Sequence, residues 1–367
     1  MSFGARACIN LGAIQQNFQL ISKKAPGARV MAVIKANAYG HGLTDVAKSL
    51  PDADCLAVAR LSEAIEIRQA GIDKPIALLG GVFSADEIDQ VIDLQLQICV
   101  HSEEQITWLE KQGSANIVVW AKIDTGMNRL GFRPNIAAAV IARLRNCAAV
   151  GDVRLMTHLA NADDRQDSTT KTQIESFRTL ASNFAGKVSI ANSAGVLGWS
   201  EELEIFADIR EAGRLWIRPG LALYGISPFP GQCGADLGLN PAMQFEAHLI
   251  AIKQLGKGER VGYGGSWEAQ QDTLLGVVSA GYGDGYSRHI ESGTPVLING
   301  RRVPVTGRIS MDLCSVDLGT GATDQVGDTV VLWGDELPVE EIAEHAGTIP
   351  YELVCGITNR EKSVIEG

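Results

Sequence analysis

Residues 30–42 read VMAVIKANAYGHG, a short apolar run followed by a polar turn that contains glycine. The run Val30–Lys35 is apolar on both faces, which is typical of a buried parallel strand. It ends in Lys35, and an ammonium group is costly to bury. Such a lysine either extends to a rim where its charge stays in water, or pairs with another group, or is neutral and reactive. Lys35 is therefore the first candidate functional residue.

Apolar runs of the same kind recur along the first two-thirds of the chain, with amphipathic helical patterns between them. We predict seven further strands at Cys55–Arg60, Pro75–Gly80, Leu96–His101, Ile117–Ile123, Val153–His158, Lys187–Ala191 and Leu215–Ile217. Eight strand–helix units fit an α/β fold of the (β/α)₈ TIM-type barrel class, which usually takes about 250 residues. A doubly wound open sheet would also alternate in this way. Polar residues at the ends of many strands favour the barrel.

The composition changes after Gly225. The segment Ser227–Asn240 is rich in proline and glycine and is typical of a linker. Beyond it, apolar residues alternate in period two between glycine turns, which indicates a mostly β C-terminal domain with one helix at Pro338–Ala346. We predict a barrel over residues 1–232 and the β domain over residues 233–367.

Length and charge narrow the possible functions. The 367 residues suit two domains. The net charge of −11 argues against nonspecific binding of nucleic acid or anionic membranes. No apolar run approaches the roughly 18 residues of a membrane span, and the N-terminus lacks a secretory signal pattern. Seven scattered cysteines without a C-x-x-C spacing indicate reduced thiols, a cytoplasmic location and no metal framework.

Polar groups at the predicted strand ends suggest a cofactor. A desolvated lysine such as Lys35 is well placed to form a Schiff base with an aldehyde. Barrels often bind phosphate with the loops after their last two strands. There Ser193 offers a hydroxyl, and Gly220 and Leu221 offer backbone N–H groups. Together these groups predict pyridoxal 5'-phosphate, held at both ends.

Other charged or aromatic residues remain open between a functional and a structural role. Arg129 suits a carboxylate, but an isolated arginine more often forms a surface ion pair. His158 lies at a strand end, where a satisfied core histidine is also common. In the C-terminal domain, Tyr282 lies in GYGDGY (residues 281–286) and Tyr263 in VGYGG (residues 261–265). Each is either a turn aromatic or an exposed phenol that could exchange a proton.

The chain resembles the bacterial alanine racemases, which are fold-type III pyridoxal-phosphate enzymes. The resemblance rests on an ordered set of motifs that covers nearly the whole chain: VIKANAYGHG, KIDTGMNRLGF, THLANADD, NSAG, RPGLALYG, VGYGG, GYGDGY and GRISMD. It implies a two-base interconversion of L-alanine and D-alanine on the cofactor, and a homodimer with shared active sites. It also implies a role in supplying D-alanine for peptidoglycan or in alanine catabolism.

The resemblance also implies a role for each matching residue. Lys35 matches the lysine that binds the cofactor covalently and serves the D-enantiomer, and Tyr282 matches the tyrosine from the partner subunit that serves the L-enantiomer. Lys122 matches a lysine that is often carbamylated and then positions an arginine, and Tyr263 matches a gate. The remaining matches are phosphate contacts (Tyr39, Ser193, Gly220, Leu221, Tyr351), the pyridine-nitrogen arginine and its neighbour (Arg218, His158), and substrate-carboxylate contacts (Arg129, Met311).

Two positions depart from the family pattern. Ser310 stands where some members carry cysteine, and Leu159 stands where many carry phenylalanine. A racemase of broader side-chain specificity remains an alternative. A related pyridoxal-phosphate amino-acid decarboxylase is a weaker one, since it would be expected to carry a reactive cysteine. A non-enzymatic carrier of the cofactor would leave the C-terminal domain without a purpose.

Overall fold

A closed barrel of eight parallel strands forms the larger part of the molecule. The computed structural model describes residues 4–358, 360 and 364–366. After a first strand, β1 (Arg6–Asn10), the barrel strands follow one another in chain order. Their bounds are β2 Arg29–Val33, β3 Cys55–Val58, β4 Ile76–Leu78, β5 Gln97–Val100, β6 Ile117–Lys122, β7 Val150–Met156, β8 Val188–Ser189 and β9 Leu215–Ile217. Pairing of β2 with β9 closes the ring, so the predicted barrel is confirmed and the open sheet was the wrong alternative.

Helices and short 3₁₀ turns connect the barrel strands. The helices span Leu11–Lys24, Leu43–Ser49, Leu61–Gln69, Glu87–Asp93, Glu103–Glu110, Ala137–Arg145, Thr169–Ser182, Ser193–Gly198, Ser200–Leu203 and Ala207–Glu211. The 3₁₀ turns span Pro134–Ile136, Glu204–Phe206 and Leu221–Tyr224.

Two helices of the barrel differ in the side-chain contacts at their N-termini. Ser102 caps the helix Glu103–Glu110, because its hydroxyl accepts a hydrogen bond from the Gln105 amide. Ser84 does not cap the preceding helix, Glu87–Asp93. That helix begins at Glu87, whose carboxylate instead accepts from the amide of Phe83 at 2.7 Å.

An eight-stranded, mostly antiparallel sheet forms the C-terminal part, as predicted. Its order is β13-β16-β15-β14-β17-β10-β1-β18, and β10 also pairs with β13. The strands of this region are β10 Met243–Leu255, β11 Arg260–Val261, β12 Trp267–Glu268, β13 Thr273–Val278, β14 Pro295–Ile298, β15 Arg301–Thr306, β16 Cys314–Gly319, β17 Thr329–Trp333 and β18 Val364–Glu366. Strands β11 and β12 form a separate ribbon. The α-helices are Val339–His345 and Pro350–Cys355, and the 3₁₀ turns are Gly234–Leu237 and Tyr263–Gly265.

The first strand of the chain belongs to the C-terminal sheet. Strand β1 pairs antiparallel with β10, and Arg6 lies opposite Glu246. Their side chains form an ion pair of 2.6 Å in which Glu246 is almost fully buried. Strand β1 therefore connects the C-terminal sheet with the part of the chain that leads into the barrel. No helix in the described part of the chain is long and apolar enough to cross a membrane.

Candidate active site

A cavity of about 340 Å³ opens at the carboxyl ends of the barrel strands, where barrel enzymes place their active sites. It brings together ten of the residues that the sequence analysis singled out. They are Lys35, Tyr39, Lys122, Arg129, His158, Ser193, Arg218, Gly220, Leu221 and Tyr351. They come from strand ends and loops spread over the chain, so their convergence results from the closed barrel.

The backbone after Lys35 adopts an unusual conformation. The four residues Ala36–Tyr39 have φ values of 54°, 53°, 52° and 53°, which is one turn of left-handed helix. This conformation costs roughly 1–2 kcal/mol per residue for L-amino acids other than glycine. The Asn37 side chain accepts a hydrogen bond from the Leu43 amide at 2.9 Å and so holds the turn from outside. As a result, Lys35 and Tyr39 both line the cavity.

The cavity is strongly cationic. Lys35, Lys122, Arg129 and Arg218 line it, and no Asp or Glu does among the lining residues that the structure describes. Burial lowers the pKa of Lys35, and the charge of Arg129 lowers it further. A site of this kind attracts anions. It also favours the neutral, nucleophilic form of the lysine amine.

Arg218 is the most firmly held of these cations. It is 4% exposed, and its guanidinium donates to the Ser189 hydroxyl at 2.6 Å and to the Thr157 carbonyl at 2.5 Å. Burial lowers its pKa to about 10, so it remains charged at neutral pH. His158 lies 3.4 Å away through Nδ1. Burial and the charge of Arg218 hold the pKa of His158 well below its usual range, so this imidazole is neutral.

Ser193 and the loop after β9 form a close cradle at one side of the cavity. The Ser193 hydroxyl accepts from the amides of Gly220 and Ala222 at 3.0 and 3.2 Å. A Cβ at Gly220 would come within 2.6 Å of the Tyr39 hydroxyl. Hydroxyl and amide groups therefore lie close together here, and glycine at position 220 leaves the space between them open. A group of hydroxyl and amide donors of this kind suits a phosphate.

Lys122 is the last residue of β6 and is only 9% exposed. Burial lowers its pKa, and the nearby charges of Arg218, Arg129 and Lys35 lower it further. The buried thiol of Cys99 raises it. A buried amine among cations is disfavoured as an ammonium ion. The surroundings of Lys122 therefore favour its neutral amine more than those of an exposed lysine would.

Three predicted site residues lie outside this cavity. Tyr263, Tyr282 and Met311 belong to the C-terminal domain and are 69%, 37% and 54% exposed. The loops of Tyr282 and Met311 are joined, because the Gly283 amide donates to the Met311 carbonyl at 2.8 Å. The Arg288 guanidinium lies 5.9 Å from the centre of the Tyr282 ring. Within one chain, none of the three reaches the cavity lining.

Two residues that contact the lysine turn were missed by the sequence analysis. His41 is completely buried, its ring nitrogen Nδ1 lies 2.8 Å from the Tyr39 carbonyl, and its ring packs on Tyr224. Glu63, on the helix after β3, accepts from the Ala36 amide at 2.5 Å. The position of His41 within the motif was a possible signal. No local signal marks Glu63.

Comparisons with known proteins agree with this geometry. Residues 9–228 match the model of the alanine racemase N-terminal domain, and residues 242–365 match that of the C-terminal domain. The chain belongs to the alanine racemase family. It is 48% identical over 359 residues to the alanine racemase of Vibrio parahaemolyticus, and the match covers 97% of each chain.

Solved structures of alanine racemases share the whole fold. The biosynthetic alanine racemase of Pseudomonas aeruginosa superposes with a TM-score of 0.92 at 40% identity and covers 100% of both chains. The alanine racemase of Bartonella henselae with covalently bound pyridoxal phosphate gives a TM-score of 0.87 at 28% identity, with 99% of both chains covered. The family predicted from the sequence is confirmed.

Proposed function

We propose that the protein is a pyridoxal-phosphate-dependent alanine racemase, an isomerase that interconverts L-alanine and D-alanine. The observation that carries the proposal is the cavity in which Lys35 lies with Arg129, Arg218 and the Ser193 cradle. The cavity offers an amine for an aldehyde, and donors for a phosphate and for a substrate carboxylate. The described lining residues include no carboxylate that would compete for these cations.

The residues present fit pyridoxal 5'-phosphate. Lys35 would hold its aldehyde carbon covalently. Arg218 would face the pyridine nitrogen beside His158. The phosphate would be held by Tyr39, Ser193, Gly220, Leu221 and Tyr351. When bound, this cofactor withdraws electrons from the amino-acid α-carbon and makes its proton removable.

Arg218 would select among the reactions that the cofactor supports. Its buried guanidinium remains protonated at neutral pH. Because it does not readily give up a proton, it would leave the neighbouring ring nitrogen largely unprotonated. That weakens electron withdrawal and disfavours side reactions such as transamination. The neutral His158 beside Arg218 adds no further positive charge there.

Racemisation needs proton transfer on both faces of the α-carbon. Lys35 would exchange the proton on the side used by D-alanine. We propose that Tyr282 of a second copy exchanges it on the opposite side, for L-alanine, and that Met311 of that copy contacts the substrate carboxylate through its backbone N–H. The exposure of Tyr282 and Met311, away from the cavity of their own chain, supports a homodimer with shared active sites.

Tyr263 is the proposed gate residue. Its surroundings also suit the opposite assignment, in which Tyr263 is the base for L-alanine and Tyr282 is the gate. Tyr263 projects from a turn in which Gly262, Gly264 and Gly265 all have positive φ, and it is more exposed than Tyr282, at 69% against 37%. A strongly projecting phenol suits entry into a partner's cavity. Separate Tyr263→Phe and Tyr282→Phe substitutions would identify the base. In deuterium oxide, only loss of the base should slow α-proton exchange of L-alanine more than that of D-alanine.

We propose that Lys122 is carbamylated and then positions Arg129. The buried amine among cations supports this, since a carbamate carries negative charge where the site has an excess of positive charge. A carbamate resonance in ¹³C NMR, obtained with labelled bicarbonate and absent from Lys122→Met, is the expected result.

Alanine is the proposed substrate because Tyr351 in the cavity and Tyr263 of a second copy would leave room for only a small side chain. The purified protein with added cofactor is incubated with L-alanine, L-serine and L-lysine, and each product is resolved on a chiral column. We expect D-alanine to form faster than D-serine or D-lysine. The final ratio of D-alanine to L-alanine should be one. Equal rates would favour the broader-specificity racemase. Release of carbon dioxide instead would favour the decarboxylase, which the absence of cysteine at Ser310 disfavours.

The cellular role follows from the reaction and its location. D-alanine would serve peptidoglycan synthesis, or the reverse direction would serve alanine catabolism. We propose the cytoplasm as the location, and the lack of a disulfide bond between any of the seven cysteines, all of which the structure describes, supports it. Fractionation of cells that carry the tagged protein is the direct measurement.

A further inference from the structure

We propose that Glu63 is a positioning residue for Lys35, which fixes the turn after the lysine and places a negative charge beside its amine. This inference rests on the proposed role of Lys35 as the cofactor-binding lysine. It assigns Glu63 no contact with the substrate, because Glu63 lies outside the cavity lining.

The Glu63 carboxylate joins two neighbouring loops of the barrel mouth. It lies in the first turn of the helix Leu61–Gln69, which follows β3. One oxygen accepts from the Ala36 amide at 2.5 Å, and the other accepts from the amides of Ala59 and Arg60, both at 2.9 Å. Lys35 and Ala59 both line the cavity. The carboxylate therefore connects two segments of the cavity wall through hydrogen bonds on the side away from the cavity.

The bond to Ala36 acts on the strained part of the backbone. Ala36 directly follows Lys35 and is the first residue of the left-handed turn. A hydrogen bond to an ionised carboxylate is shorter and stronger than one between neutral groups. It therefore holds the peptide between Lys35 and Ala36 in one orientation, and this peptide sets the direction of the lysine side chain.

Glu63 also supplies the negative charge that opposes the cations around Lys35. The amine faces Arg129, Lys122, His158, Cys355 and Glu63. Burial and Arg129 lower the lysine pKa, whereas Cys355 and Glu63 raise it. Burial raises the pKa of the Cys355 thiol, which favours its uncharged form and leaves Glu63 as the anion. Glu63 therefore limits how far burial and the neighbouring cations lower the pKa of the lysine. Because Glu63 lies outside the cavity lining, its charge would not directly face an anionic ligand in the cavity.

A purely structural role would be simpler, because the bonds to Ala59 and Arg60 alone would cap the helix. The test must therefore measure the amine itself. We compare Glu63→Gln, which removes the charge, with Glu63→Asp, which keeps the charge but shortens the reach to Ala36. Glu66→Gln is the matched control, since Glu66 is exposed on the same helix.

The first measurement uses the full-length protein freed of cofactor. Lys35 is reductively methylated over a pH series, and its modification is quantified by peptide mass spectrometry. Loss of a nearby carboxylate should lower the pH of half-modification by about 0.5 unit or more in Glu63→Gln. Glu66→Gln should leave it unchanged, and Glu63→Asp should stay close to the wild type. No shift in Glu63→Gln would overturn the electrostatic part of the proposal.

The second measurement uses the enzyme loaded with cofactor. We expect Glu63→Gln and Glu63→Asp to slow α-proton exchange of D-alanine about tenfold more than that of L-alanine, because only Lys35 is displaced. Equal slowing of both enantiomers would overturn the positioning role and leave only a helix cap. If Glu63→Gln does not fold, Glu63→Asp alone decides this ratio. A wild-type enzyme that exchanges neither enantiomer would refute the proposed function, whereas the methylation shift would still test Glu63.

Discussion

At the scale of single residues, the energetic cost of burying charge explains most of the site. Lys35 follows a buried strand and shares the cavity with Lys122, Arg129 and Arg218, and no carboxylate is among the described residues that line the cavity. That Lys35 is a candidate site residue could be predicted from the sequence, because an apolar strand followed by a lysine is a local pattern. The role of Glu63 could not, because its partner Ala36 is 27 positions away in the chain.

The first prediction concerns Lys35→Ala. The variant should lose the visible absorbance of the covalently held cofactor, and racemisation should fall by roughly 10²–10⁴-fold or more, as expected for loss of a general base. Absorbance spectroscopy and the chiral assay measure the two effects. Lys48→Ala is the control, since Lys48 is exposed on the helix Leu43–Ser49. Retained absorbance in Lys35→Ala would refute the covalent role.

The second prediction concerns His41, which is buried and packs on Tyr224. Burial lowers its pKa to about 4, against about 6.5 in the unfolded chain. The unfolded state therefore binds more protons below pH 6.5, and this contribution to stability is lost as the pH falls towards 4. Between pH 7 and pH 5, His41 should account for a loss of about 2 kcal/mol in the free energy of unfolding.

Denaturant unfolding of the wild type and His41→Gln at both pH values, at one protein concentration, measures this loss. Contributions from the other histidines cancel in the comparison. The variant should be less stable at pH 7, and the gap should narrow by pH 5. A gap that stays constant would show that His41 does not titrate in this range.

At the scale of elements, the strands were easier to predict than the turns. All eight barrel strands were predicted within a few residues, because each is an apolar run between helical patterns. Strand β1 was missed, because its five residues pair with β10 near residue 245 and carry no local partner. The left-handed turn Ala36–Tyr39 was also missed, since no glycine marks those positions.

The third prediction tests the cradle beside that turn. Gly220→Ala places a methyl group against the Tyr39 hydroxyl, which must move. We expect the affinity for pyridoxal phosphate to fall about tenfold, which corresponds to about 1.4 kcal/mol. Titration of the cofactor-free protein, followed by absorbance, measures it. Gly113→Ala is the control, because no atom of the described residues lies within 4 Å of the added methyl group. Unchanged affinity in Gly220→Ala would place the phosphate elsewhere.

At the scale of the whole molecule, the proposed site residues form two groups that do not meet within one chain. The first group lines the barrel cavity around Lys35, whereas Tyr282 and Met311 are exposed on the C-terminal domain. The sequence motifs predicted both groups, but only the structure separates them in space. A second copy of the chain is the economical way to bring them together, since each of two symmetric sites would then draw on both copies.

The fourth prediction follows from this division. Lys35→Ala and Tyr282→Phe are each expected to be nearly inactive as pure homodimers. A mixed dimer has one site with both changes and one site with neither, because each site takes its lysine from one copy and its phenol from the other. Mixing the two variants should therefore restore activity, up to about a quarter of the wild-type value for random pairing of equal amounts.

Subunit exchange must be verified independently, for example with two different affinity tags purified in sequence. The control mixes Lys35→Ala with Arg218→Ala. Both changes fall in the barrel half, so each site of that mixed dimer stays defective and activity should not recover. Verified exchange without recovery in the first mixture would place the lysine and the phenol of each site on the same copy. Recovery with Tyr263→Phe in place of Tyr282→Phe, when Tyr282→Phe alone remains active, would instead keep the shared site and exchange the roles of the two tyrosines.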